Sequence, residues 1–150
     1  MMADQVMGFI EGLIEKTKKK ELEWKPFSLC PIKTEIHIEL ENGRANFDYG
    51  MNSIRESKSY FLESGEGYVF LFEIYHGDPD VSSPTMDSVS LMVKINNILP
   101  LNDISNYSEQ EQELLERLKL LIEYNIAEKY TYPDVMYEFF KQVLKGTTEN

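Results

Sequence analysis

A chain of 150 residues with 42% hydrophobic and 12% aromatic side chains is one domain's worth of sequence and can bury a core unaided by metal or disulfide. Its 26 acidic against 15 basic residues leave a net charge of −11, which opposes a direct grip on a nucleic-acid backbone. One cysteine, Cys30, and no apolar run near the ~18 residues of a membrane span exclude disulfide-framework and transmembrane classes.

Residues 4–20 are predicted helical, because Val6, Phe9, Ile10, Leu13 and Ile14 recur at three- and four-residue steps. Asp4 can cap the start, and four lysines between Lys16 and Lys20 offset the negative end of the helix dipole. Asp4, Glu11 and Glu15 also break any signal-peptide core, so a cytoplasmic protein is expected. Leu22 and Trp24 alternate with charge up to Pro26, which reads as a short extended piece.

A β-hairpin is predicted next. Ile32, Ile36, Ile38 and Leu40 alternate with Lys33, Glu35, His37 and Glu39, and Asn42-Gly43 suits a type I′ turn. That turn would pair Leu40 with Ala45, Ile38 with Phe47 and Ile36 with Tyr49. A second hairpin turns at Ser64–Gly67, and residues 68–75 are apolar on both faces except at Glu73, the pattern of a central strand. Residues 76–87 read as a loop, and Val89, Leu91, Val93 and Ile95 as a fifth strand ended by Asn96-Asn97. Ser108 and Glu111 form a capping box for a helix to about Lys129, and Pro133 opens a last helix that Gly146 stops. The order predicts a single α+β domain over 1–146 with a loose tail at 147–150: an N-terminal helix, about five strands in an antiparallel meander, and two C-terminal helices packed on one face.

Candidate chemistry is sparse. Cys30 lies between Leu29 and Pro31, with no feature that would lower its pKa for attack. Gly65-Glu66-Gly67 carries an acid where a phosphate cradle needs none, and the sequence holds no P-loop or nucleophile elbow. The loop from His76 through Asp78, Asp80 and Asp87 lacks the glycine and glutamate of an EF-hand. No catalytic residue, metal or cofactor is therefore expected.

Charge and aromatics point instead to surfaces. Residues 31–90 hold 11 acids and 4 bases, a net of −7, whereas residues 1–30 balance at 5 and 5. Glu35, Glu39 and Glu41 would line the outer face of one strand, and a clustered negative field speeds capture of a basic partner. Tyr60, Tyr68 and Tyr75, with His76, Asp78 and Asp80, complete the expected partner-binding set. The segment Leu13–Thr17 followed by Leu22-Glu23-Trp24 resembles the start of small bacterial cytosolic proteins, a likeness that implies no activity. Size and acidity are also similar to immunity proteins that neutralise toxins and to secretion chaperones, though the chaperones place a helix between strand pairs. The expectation is a non-catalytic, acidic protein-interaction module with a basic protein partner and no direct nucleic-acid or membrane contact. The alternatives are a small-molecule-binding protein or enzyme with a pocket between sheet and helices, using Tyr60, Tyr68, His76 and Asp78, and a homodimer that buries an apolar sheet face.

Overall fold

The computed structural model of the chain describes residues 3–41, 54–75, 88–130 and 133–148. Helix α1 (Ala3–Lys18) buries Val6, Ile10, Leu13 and Ile14 along one side. It ends where Lys20 takes a left-handed backbone, φ 59°. The amides of Lys20 and Glu21 turn back to the carbonyls of Thr17 and Lys16 at 3.1 and 3.0 Å, a Schellman closure made without glycine.

Strands β1 (Lys25–Pro26), β2 (Tyr60–Ser64), β3 (Gly67–Ile74), β4 (Ser88–Ile95) and β5 (Leu99–Asp103) lie side by side in chain order, all antiparallel. Pro26 is tolerated because β1 is an edge, where a missing amide interrupts no ladder. β3 is central as expected, hydrogen-bonded to β2 on one side and β4 on the other. The β2–β3 turn falls at Gly65-Glu66, with Ser64 opposite Gly67.

The α+β class, the antiparallel meander and the flanking helices agree with the sequence reading, but two of the five strands are not the expected ones. Residues predicted as the first strand of the early hairpin form helix α2 (Lys33–Glu41) instead. The proposed turn at Asn42-Gly43 and its second strand lie outside the described residues. Ile36 and Leu40, four apart, are fully buried and Ile32 packs beside them, while Ile38 is 55% exposed. A strand would have put Ile38 on the same side as Ile36 and Leu40; a helix rotates it away. The deciding partner is the sheet itself. Phe61, Phe70, Phe72, Ile74, Met92 and Leu101 make an apolar face that α2, Phe27 and Cys30 cover. Among the described residues the five strands are completed by β1 and by β5, which follows the tight turn where Asn97 adopts φ 62°. β5 escaped the sequence reading because Pro100 and the preceding asparagines look like a stop; it is an edge strand with a register shift between Val93 and Ile95.

The opposite face of the sheet carries Tyr60, Leu62, Leu71, Val89 and Leu91, packed under α1 and helix α3 (Glu109–Tyr130). The sheet is thus covered on both sides, not one. Where β5 leaves β4, side chains finish the edge: the Leu91 amide donates to Ser105 Oγ at 2.6 Å. Gln112 bonds both the amide and the carbonyl of Val89, each at 2.8 Å. Helix α4 (Pro133–Thr148) passes through Gly146 without stopping. Its residues 136–146 are all exposed, so among the described residues α3, and not α4, supplies the C-terminal side chains of the core.

Candidate functional site

The chemically richest cluster is internal. Glu73, the one acid in the apolar run of β3, points into the layer under α3 and is buried. Lys119 of α3 meets it at 2.7 Å and lies 3.7 Å from Glu123 on the next turn. Tyr60 donates its hydroxyl to Glu123 at 2.8 Å, and Arg55 Nε stands 3.4 Å from Glu73 on the solvent side. Burial alone would pull the Lys119 ammonium down, but the hydrogen bond to Glu73 and the carboxylates of Glu123, Glu73 and Glu116 more than reverse it, holding it above its ordinary value. Burial, then the hydrogen bond to Glu123, pushes the Tyr60 phenol far up. Every shift favours the resting ionisation state at neutral pH. The Lys119 ammonium and the Tyr60 hydroxyl thus both hold their protons at neutral pH.

A second pair ties α2 to the sheet. Lys94 on β4 lies 3.1 Å from Glu39 and 3.2 Å from Glu35, and Glu39 also accepts the Leu101 amide at 3.4 Å. Burial would lower Lys94, yet the hydrogen bonds it donates to Glu39 and Glu35 raise it overall. Glu39 was expected on an outer face; it is buried, because α2 turns it toward β4 and β5. Glu35 and Glu41 are exposed on the same helix. The continuous acidic strand face does not form.

At the start of α3 only one arm of the expected capping box forms: the Ser108 amide donates to Asn106 Oδ1 at 2.8 Å instead of to Glu111. Ser108 Oγ accepts the Glu111 amide at 3.2 Å, and Glu111 Oε1 accepts the amides of Asn106 and Tyr107 at 2.9 and 3.3 Å. Glu111 is fully buried. Burial raises both Glu111 and nearby Asp103, the former further by the Asp103 charge. Hydrogen bonds from the Tyr107 hydroxyl and the Ser105 amide offset part of the rise at Asp103. A carboxyl raised in the fold holds its proton more tightly folded than unfolded. Its contribution to stability therefore falls as pH climbs from the ordinary values of 3.8 and 4.5 through the folded ones. Relative to wild type, Asp103→Asn/Glu111→Gln should gain thermal stability as pH rises across that window. A constant Tm difference would contradict this.

The expected binding residues do not assemble into one site. Tyr60 is buried in the charge cluster, on the face under α3. Tyr68 is half-buried on the other face, stacked 5.8 Å from Phe70. Tyr75 is half-buried with the Arg55 guanidinium 4.7 Å over its ring. His76, Asp78 and Asp80 lie outside the described residues. Cys30 is buried, and burial first, with the Glu63 charge behind it, pushes its thiol up and keeps it protonated.

Two outward features come into view instead. On α3, Glu109, Glu113 and Glu116 line up with Leu120, 65% exposed, and Tyr124, 66% exposed. Their spacing of three and four residues makes a single outward stripe. The sequence carries the same periodicity beneath the stronger pattern of the buried leucines. The second feature is an open groove of about 620 Å³ beside α1, lined chiefly by Phe9, Tyr68, Val69, Val93, Ile95 and Leu99. Comparison with protein-family models, with curated proteins and with solved structures finds no match to this chain.

Proposed function

We propose that the chain is a non-catalytic protein-interaction module that binds a basic macromolecular partner. The observation that carries this reading is the outward stripe of α3, where Glu109, Glu113 and Glu116 run into exposed Leu120 and Tyr124. Acids that steer a cationic surface beside an aromatic that can be desolvated are what a recognition surface requires. The inward acids Glu39 and Glu73 are neutralised by Lys94 and Lys119 and serve the fold.

The test uses a lysine-rich amphipathic peptide as a basic probe. Glu109→Gln/Glu113→Gln/Glu116→Gln should weaken binding about tenfold and flatten its salt dependence. Neutralising Asp4, Glu11 and Glu66, exposed elsewhere, is the control. Equal losses from the two triples would remove the reading. A second reading, a small-molecule-binding protein, is favoured by the apolar groove, whose volume suits a drug-sized ligand. A saturable Tm increase with small apolar acids, abolished by Val69→Trp, would support it.

A further inference from the structure

Helix α4 presents Met136, Tyr137, Phe139, Phe140, Val143 and Leu144 to solvent, each between 46% and 64% exposed. Met136, Phe139, Phe140 and Val143 follow the three- and four-residue step of one helix face, with Tyr137 and Leu144 at its margin; Glu138, Lys141 and Lys145 occupy the other side. We infer that this face is a self-association surface on which α4 pairs antiparallel with α4 of a second copy, making the chain a homodimer.

Three observations select the twin as occupant. The first is charge. Residues 133–148 hold two acids, Asp134 and Glu138, and two bases, Lys141 and Lys145, a net of zero on a chain of −11. Two copies repel each other through most of their surface but can approach along α4. A basic partner, by contrast, is drawn to the acidic stripe of α3 and gains nothing from a neutral apolar helix. The second is area. Six large side chains about half exposed offer roughly 100 Å² each, so pairing two copies buries about 1,200 Å², the lower bound of a stable specific interface. The third is polarity along the helix. An antiparallel pair sets the positive end of each helix dipole beside the negative end of the other. A parallel pair sets like against like. Around a twofold axis near Phe140, Met136 of one copy falls opposite Leu144 of the other. The route to a dimer through an open sheet face is closed, because α2 and Phe27 already cover that face.

Light scattering of the full chain at about 100 µM, where a micromolar interface is saturated, should give twice the monomer mass. Phe139→Glu/Phe140→Glu should raise the dimer dissociation constant at least about a hundredfold. Both positions are exposed, so the Tm of the variant at low concentration reports that the domain itself still folds. Orientation is read by disulfide trapping in a Cys30→Ser background. Phe140→Cys should cross-link to its twin and Met136→Cys should not, while the Met136→Cys and Leu144→Cys chains mixed together should. A monomer at 100 µM, a dimer untouched by the α4 substitutions, or an efficient Met136→Cys self-cross-link would each overturn the proposal.

Discussion

Lys119→Ala is expected to destabilise the protein by about 3–5 kcal/mol, read as a lower midpoint in urea with Trp24 fluorescence as the probe. Trp24 is the chain's one tryptophan and is buried, its Nε1 donating to Thr17 Oγ1 at 3.0 Å, so its emission follows the α1 side of the core. The size of the effect comes from what remains rather than from what is removed. With the ammonium gone, the Glu73 carboxylate stays buried with only Arg55, half-exposed and 3.4 Å away, to compensate it, and Glu123 loses its cation as well. Lys119→Met keeps the apolar stem and should destabilise nearly as much. Lys119→Met/Glu73→Leu removes both charges and should recover most of the loss, because a buried ion pair and an apolar pair of similar volume differ little. The coupling between the two positions therefore isolates the interaction. A single Lys119→Ala cost below about 1 kcal/mol would mean that water reaches the cluster and the burial argument fails.

The same cluster sets an alkaline limit. A lysine whose pKa is raised in the fold contributes stability that is complete below the unfolded value of 10.5 and disappears as pH rises through the folded one. Lys94 adds a contribution of the same sign on the other face. Both sit where helices meet the sheet, so deprotonation would loosen α3 and α2 from opposite sides.

How much of this was legible in the sequence depends on whether local and long-range forces agree. They agree in β2 and β3, where a Gly-Glu turn and a two-sided apolar run specify a hairpin with a central strand, and at the start of α3, where the Ser108 hydroxyl caps the helix. They compete at residues 32–41. Ile32, Ile36 and Leu40 satisfy a helix as well as a strand, and Ile38 alone discriminates. Pattern counting sides with the strand; the large apolar face of Phe61, Phe70, Phe72 and Met92 sides with the helix and wins. Partner choice is equally invisible from one segment. Glu39 reads as an outward strand acid, Glu73 as a lone acid in a central strand and Glu111 as a capping residue, until Lys94, Lys119 and the amides of Asn106 and Tyr107 are brought to them. Sorting the 26 acids into inner and outer therefore needs the tertiary structure, even though their number is plain from the start.

Gly67→Ala is the backbone counterpart of the Lys119 experiment, with an expected loss of about 3 kcal/mol or more. Gly67 opens β3 opposite Ile95, and a Cβ there would stand 2.2 Å from the Lys94 carbonyl oxygen and 3.1 Å from the Ile95 Cα. Those are main-chain atoms of a paired strand, so no side-chain rotation relieves the overlap. The strands must part, and the parting reaches further than the turn. The Asn96 amide donates to the Glu66 carbonyl at 2.8 Å, tying the β2–β3 turn to the β4–β5 turn, and Lys94 carries the ion pairs that hold α2. Gly65→Ala, two residues away in the turn with nothing within 4 Å of its would-be Cβ, is the matched control and should cost less than about 1 kcal/mol. Chemical denaturation of both variants separates steric exclusion from a general intolerance of the turn. If the two losses are equal, close strand approach at Gly67 is not what the glycine provides. If Gly67→Ala alone is costly, its amide-exchange protection should fall first in β4 and β5, and α2 should loosen with them.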